Sequence, residues 1–496
     1  MGQDVSGGEW SNTQRRQYRE KVRQNLDVFE RMLAVTSFDP GRFMTGMEME
    51  FSLVGEDLEP AFRNDEVLAA IDDDSFVHEL GRFNIEVNVD PRSLEGKGLL
   101  TLEKDVCEAL AGARAAAASV GTRLAMIGML PTIMTHHVSD DGWMSTPNRY
   151  SALNDAIMRA RGEDMFIDIS GPSGERVTMY SDSIGPEAAC TSMQLHLQVA
   201  PADFAAYWNA AQALAGPQLA LAANSPFFGG KMLWHETRIP LFTQAADTRS
   251  IEFVNQGVRP RVEFGDRWIT SIFDLFEDNV RYFASLLPEV GDEDPVAVLE
   301  SGEPPELAEL RLHNGTIYRW NRPIYDTAGG RPHLRVENRT LPAGPTVTDV
   351  LANAAFYYGV LVHLAREDRP VWTQMSFSAA STNFRHGARD GMNARLYWPG
   401  YSSISPDELT LRHLLPLAEE GLSTLGVDRA ARDTYLGVIE GRAISRQNGA
   451  SWQIDTVYAL EESGLDRSVA LHRMLEMYLD LSEAGEPVHT WEVPRR

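Results

Sequence analysis

The sequence predicts an α+β protein: a sheet with one apolar face under helices and one polar face toward a cleft, then a helical C-terminal half. Three observations carry this. Several separate stretches alternate apolar and polar residues with a period of two, each with an ionisable group on the polar side. From Thr346 onward nearly every segment has helical spacing instead. No internal repeat, low-complexity tract or clear linker divides the chain. The expected organisation is a helical lead-in over 1–40, a sheet-based core over 41–345, and a helical part of the same domain over 346–496.

Bulk properties exclude several classes. The 496 residues carry a formal charge of −26, which opposes sequence-independent binding to nucleic acid or to anionic membranes. The apolar content of 43% with 23% charged residues is ordinary globular composition. No apolar run is expected to reach the roughly 20 residues of a membrane span. The start, Met1-Gly-Gln-Asp-Val-Ser-Gly-Gly8, lacks a basic and apolar leader, so a cytoplasmic location is expected. It also fits the short Met-Gly-x-x-x-Ser acylation pattern, with no basic cluster in support. Only Cys107 and Cys190 occur, which leaves no disulfide framework and no cysteine metal site. With just Lys21, Lys97, Lys104 and Lys231 against many arginines, anionic ligands would meet arginine forks or bound cations.

In chain order, residues 11–36 form an amphipathic helix with Val22, Leu26, Phe29 and Leu33 on one face, ended by Asp39-Pro40-Gly41. Gly46-Met-Glu-Met-Glu-Phe-Ser-Leu-Val54 is a strand with Met47, Met49, Phe51 and Leu53 behind and Glu48, Glu50 and Ser52 in front. Two carboxylates about 7 Å apart on one strand face repel unless cations sit near them. A solvated edge strand is the alternative. Residues 65–71 form a short helix before Asp72-Asp73-Asp74, and His78–Val89 is a second strand with Glu86 central among its polar residues. Residues 101–120 are helical, Thr122–Leu130 a strand, and 136–187 a loop-rich binding segment or lid. His136-His137 would point to opposite faces of a strand, which disfavours them as joint ligands.

Residues 190–199 are a third amphipathic strand, with His196 between Gln194 and Gln198 on the polar face. Helices follow over 203–223 and 266–287, and an acidic surface loop over 290–306. His313–Tyr325 and His333–Leu341 are the last two strands, and Arg335, Glu337 and Arg339 share a face of the latter. Helices are expected over 346–366, 406–424, 428–441, 452–462 and 466–483.

Four strands thus place Glu48 and Glu50, Glu86, His196 and Glu337 on polar faces. A sheet that lines a metal-filled cleft explains all of them together, and the oxygen-rich set with one imidazole suits Mg²⁺ or Mn²⁺. No P-loop, Gly-x-Gly-x-x-Gly or Gly-x-Ser-x-Gly motif occurs, so a bound nucleotide would be held by cations and arginines.

Gly-x-Glu-x-Glu-Phe at 46–51, Gln-Leu-His-Leu at 194–197, Ala-Asn-Ser-Pro-Phe-Phe at 223–228, Arg-Val-Glu-Asn-Arg at 335–339 and Asn-Gly-Ala-Ser-Trp-Gln at 448–453 occur in this order. With this set the chain resembles the glutamate–cysteine ligase family, in particular its second bacterial group of carboxylate–amine ligases, from about residue 43 to about 480. The resemblance implies a glutamine-synthetase-like fold, a curved and mostly antiparallel sheet lining an active-site funnel with ATP and metal ions at its floor. It implies Glu48, His196 and Glu337 as ligands of a metal on the ATP phosphates. Glu50, Glu86 and Glu79 would bind a metal near the activated carboxylate. Arg238, Arg335 and Arg339, joined by Arg149, would contact phosphate or substrate carboxylates. The implied reaction is ATP-dependent ligation of glutamate to an amine such as cysteine through an acyl phosphate, in a homo-oligomer. Two other readings remain open: a non-catalytic ATP-binding homologue, and a metal-dependent hydrolase in the same cleft.

Overall fold

The computed structural model describes residues 10–40 and 43–494, and the acylation-like start lies outside them. Helix α1 (Asn12–Val35) is capped by Ser11, whose side chain accepts from Gln14 N, and buries Val22, Leu26 and Phe29. Strand β1 (Met44–Gly55) follows, then β2 (Phe76–His78), β3 (Asn84–Ser93), helix α2 (Gly98–Ser119) and β4 (Thr122–Ala125). Next come α3 (Asn148–Arg161), the hairpin β5 (Met165–Ser170) and β6 (Arg176–Ser181), the single turn α4 (Gly185–Ala188), β7 (Met193–Val199), α5 (Phe204–Ala222) and α6 (Arg238–Ala245). Strands β8 (Asn321–Asp326) and β9 (His333–Asn338) complete the main sheet before the core helix α7 (Val347–Leu364).

The main sheet has seven strands in the order β8–β9–β7–β1–β3–β2, with β4 paired to the end of β1. Every pairing in it is antiparallel. Its back consists of buried side chains, among them Met47, Met49, Phe51, Ile85, Val87, Leu195, Leu197, Leu334 and Val336. These join one apolar core with residues of α5 and α7. Because side chains alternate along a strand, the same register sends Glu48, Glu50, Glu86, His196 and Glu337 to the opposite face.

The last third is helical: α8 (Phe377–Asp390), α9 (Leu415–Thr424), α10 (Arg429–Ser445), α11 (Gly449–Glu462) and α12 (Arg467–Ala484). Helix α9 lies close on α7 at a glycine pair. A Cβ on Gly421 would stand 1.8 Å from the Gly359 carbonyl oxygen, so only glycine permits this approach.

Several expectations need correction. The 136–187 segment is largely structured, since it holds α3 and the β5–β6 hairpin. Its turn residues cluster at element ends, and α3 buries Tyr150, Ala152, Ala156 and Ile157 as an ordinary amphipathic helix. His136 and His137 sit in a 3-10 turn rather than a strand, with rings 4.0 Å apart. His313 belongs to a helix, Ala308–Gly315, and only Asn321–Asp326 of that stretch joins the main sheet. The buried His313 Nε2 lies at 2.9 Å from the Asn279 carbonyl, which seats this histidine in the core rather than on the sheet's polar face. The 266–287 helix shortens to Ile272–Tyr282 behind a Ser271 cap, and the 290–306 loop contains a turn of helix, Pro295–Glu300. Strand β4 stops at Ala125. Helix α8 and the hairpin Leu396–Trp398 with Tyr401–Ile404 fill a stretch assigned to no element. Contrary to the reading of apolar runs, α7 is long and apolar enough to cross a membrane, but 89% of it is buried inside the protein. Its apolarity serves the core between the sheet and α9–α10.

One buried ion pair ties α7 to α10. The Arg442 guanidinium donates to Asp349 Oδ1 at 2.8 Å and to Asn353 Oδ1 at 2.6 Å, while Asp349 Oδ2 accepts from Val488 N at 3.1 Å. Both side chains are essentially inaccessible. Asp349→Ala is therefore expected to destabilise the protein by about 3–5 kcal/mol, the cost of stranding one buried charge. Denaturant unfolding of the variant against the parent measures this.

Candidate active site

Cross-strand register assembles the site. Glu50 on β1 stands directly opposite Glu86 on β3, and His196 on β7 directly opposite Glu337 on β9. Glu48 is paired with Gln194 across β1 and β7. Glu79 follows β2, where its carboxylate accepts from Leu80 N at 3.1 Å. The result is two groups of donors. One ligand atom each from Glu48, His196 and Glu337 lies within 4.8 Å of the others, and the same holds for Glu50, Glu79 and Glu86.

The first group is held ionised. Glu337 is wholly buried, and Arg322, its cross-strand partner on β8, forks onto both its oxygens. Arg339 adds a bond to Glu337 Oε1 at 3.1 Å. Burial alone would raise the Glu337 carboxyl, but Arg322, Arg339 and His196 hold it well below the usual carboxylate range. Burial likewise opposes ionisation of Glu48, and His196 at 3.2 Å brings it down to about 2. Both ring nitrogens of His196 are buried without a hydrogen-bond partner, so Nε2 near Glu48 is not aligned for a bond. An imidazole left this way beside two carboxylates can serve as a ligand.

In the second group burial and mutual repulsion outweigh the charge of the nearby Arg339. Glu50 accepts from Ser192 N at 2.6 Å, Ser192 Oγ at 2.9 Å and Gln194 Nε2 at 3.0 Å. Even so, burial and the adjacent Glu79 push its carboxyl up to about 7. Burial, Glu79, Glu48 and Glu50 raise Glu86 well above its ordinary value. A divalent cation would relieve this repulsion. All-carboxylate donors, and two carboxylates with one imidazole, fit Mg²⁺ or Mn²⁺.

The arginines divide. Arg339 bonds Glu337 directly and reaches the second group through Gln194, whose Oε1 accepts from Nη1 and whose Nε2 donates to Glu50. Arg238, at the start of α6, is buried and donates to Glu236 Oε1 at 3.0 Å and to the Thr340 carbonyl at 2.6 Å. It lines, with Arg339, Glu50 and Glu79, an open pocket with a cavity volume of about 70 Å³. Arg335 turns aside: its Nη1 meets His333 Nε2 at 2.6 Å and Asp326 at 3.3 Å, and it does not line that pocket. Arg149 lies over the Tyr150 ring at 4.6 Å, close enough to Glu79 and Glu86 for its charge to act on both.

Reading the residues alone missed Arg322 and Glu187. Arg322 falls within the predicted 313–325 strand, and its place opposite Glu337 needs the β8–β9 register. Glu187 lies on α4 inside the stretch expected to be loop. It lines the pocket, and burial and Glu79 push its carboxyl up to about 8. Two of the ordered motifs prove to be one support: Gln453 Nε2 donates to Asn224 Oδ1 at 2.8 Å, and Asn224 N to Glu236, the partner of Arg238. The Cys190 thiol is pushed up by burial, which suits no nucleophile.

The model of glutamate–cysteine ligase family 2 matches residues 44–424, most of the chain and all of the sheet. The chain belongs to this family. Members are carboxylate–amine ligases, and the site just described lies within the matched residues. Among solved structures the fold is similar to the glutamate–cysteine ligase of Francisella tularensis, determined in complex with AMP. The TM-score is 0.54 at 11% identity, over 91% of this chain and 90% of that one. A bifunctional glutathione synthetase from Pasteurella multocida aligns over 92% of this chain and 55% of its own, at TM-score 0.44 and 11% identity. No curated protein matches the chain in sequence.

The two halves of the site carry opposite pH signatures. A folded-state Glu50 near 7 against an ordinary 4.5 means that the folded protein binds a proton the unfolded chain releases, so stability falls as pH rises through that window. Glu48 and Glu337, shifted the other way, act only below it. Without divalent cations the melting temperature is expected to fall from about pH 5 to about pH 8, and Glu50→Gln to flatten part of that fall. Scanning calorimetry in chelator measures both.

Proposed function

We propose that the chain is an ATP- and Mg²⁺-dependent carboxylate–amine ligase, with glutamate as carboxylate donor and cysteine, or a close variant, as amine. The observation that carries this reading is the pair of acid-rich ligand groups on one sheet face, joined by Arg339. A hydrolase that only activates water needs no arginine shared between two ligand groups.

Glu48, His196 and Glu337 would hold one cation on the ATP phosphates, and Glu50, Glu79 and Glu86 a second beside the carboxylate to be activated. When bound, these cations neutralise charge on the phosphoryl group and its neighbours. The chain's own residues do the rest. Arg322 fixes the Glu337 carboxylate, and Ser192 and Gln194 fix that of Glu50. Arg339, between them, faces the place where the phosphoryl group would be transferred, with Arg238 farther into the pocket. The donor carboxylate attacks the γ-phosphorus and ADP leaves. The amine then attacks the acyl phosphate carbon, loses a proton, and inorganic phosphate leaves. Arg335, engaged by Asp326 and His333, would meet substrate from the sheet edge. No side-chain nucleophile is needed, in keeping with the raised Cys190 thiol.

An ADP-release screen of amino-acid pairs with mass spectrometry of products tests this reading. The expected result is ADP together with a mass equal to both substrates less water, abolished by chelator and restored by Mg²⁺ or Mn²⁺. Product without ADP, or turnover indifferent to chelator, overturns it. Glu48→Gln is the cleaner site variant, because Glu337 also neutralises Arg322 and Arg339 and its loss would disturb folding. Steady-state ATP turnover of Glu48→Gln should drop on the order of 100-fold or more, the scale of losing one preorganised charge-stabilising group.

A further inference from the structure

The pocket beside the Glu50–Glu79–Glu86 group contains one carboxylate that the proposed chemistry leaves unused. Among the described residues, Glu187 is the only acid lining it outside that group. Its Oε2 is fully buried and has no hydrogen-bond partner. Leaving such an oxygen unsatisfied is costly.

The pocket's own cations do not supply the missing donor. Arg238 is committed to Glu236 and the Thr340 carbonyl. Arg319 is committed to Glu263 at 2.8 Å and to Asn279. Arg339 is committed to Glu337 and Gln194. Nor is the backbone carrying Glu187 free to turn it elsewhere. Ile184 N donates to Asn154 Oδ1 at 3.0 Å, and the Ala188 carbonyl accepts from Asn84 Nδ2 at 3.0 Å. A Cβ on Gly185 would stand 1.9 Å from the Val138 carbonyl oxygen, so the turn is seated against its neighbour with no slack. An unpaired carboxylate oxygen is thus held at a pocket whose other wall is aromatic, from Phe242, Tyr318 and Trp320.

We propose that Glu187 binds the ammonium group of the carboxylate donor, which makes that donor an amino acid rather than a plain dicarboxylic acid. The inference rests on the ligase reading above and deepens it. An ammonium brings three donors and a positive charge, and it matches an unpaired buried carboxylate better than any neutral group. The pocket is the donor's rather than the amine's because it shares Glu50 and Glu79 with the ligand group assigned to the activated carboxylate.

The test compares glutamate with glutarate, the same carbon chain without the amino group, as donors for the intact protein. ADP release is measured at saturating ATP, Mg²⁺ and amine for the parent, Glu187→Gln and Glu187→Asp. The parent should show a KM for glutarate far above that for glutamate. Glu187→Gln should raise the KM for glutamate about 10- to 100-fold, the scale of one charge-assisted hydrogen bond, with a smaller change in kcat and none in the KM for glutarate. Glu187→Asp, which keeps the charge, should fall between the two and serves if the glutamine variant does not fold. Equal shifts for both donors, or a parent indifferent to the amino group, would overturn the assignment while leaving the ligase reading intact. A parent that forms no amide from any pair would overturn the ligase reading and this assignment with it.

Discussion

Repulsion among buried carboxylates is the constraint on which this structure turns. Glu48, Glu50, Glu79, Glu86, Glu187 and Glu337 gather about one face of a single sheet, with Arg322 and Arg339 paired to Glu337 and the His196 ring beside Glu48. Charge of one sign in a poorly solvated cleft must be met by protons, by cations or by unfolding. The protein meets it unevenly. Around Glu337 the arginines suffice and the acids stay ionised. Around Glu50 and Glu86 they do not: Glu50 rises to about 7 and Glu86 well above its ordinary value.

That uneven distribution is affordable because the other face of the sheet is a conventional apolar core. Met47, Met49, Phe51 and Leu53 on β1, with their neighbours on β3, β7 and β9, bury against α5 and α7 and supply cohesion that the polar face lacks. Antiparallel register then does the positioning. Opposed residues on neighbouring strands come within about 5.5 Å at the backbone, so acids in adjacent strands meet without any loop having to place them. Helices α11 and α12 brace the rear through Gln453 and Tyr478, which both bond the Asn224 side chain.

Much of this was legible in the sequence because period-two alternation is a local signal. Each of β1, β3, β7 and β9 could be read alone, and the acids and histidine fell on the polar side of each. What could not be read alone was pairing. That Arg322 forks onto Glu337 depends on which strand lies beside β9, and Glu187 depends on a four-residue turn whose Gly-Pro start looks like loop. The histidine at 313 misled for the complementary reason: a polar residue on the buried side of a helix breaks the apolar stripe, and nearby aromatic and β-branched residues then suggest a strand. Helix α7 was underestimated as an apolar run because Asp349 interrupts it, and that aspartate is neutralised only by Arg442, far along the chain.

Gln194 gives the site a further property. Its amide nitrogen donates to Glu50 while its amide oxygen accepts from Arg339, and Arg339 in turn holds Glu337. The amide cannot be reversed without facing donor to donor and acceptor to acceptor, so a directed chain of dipoles runs from one ligand group to the other. Arg339 is a single counter-charge divided between two anionic sites. Neutralising either group would therefore change how that arginine's charge is felt at the other. The floor of the cleft is electrically one object.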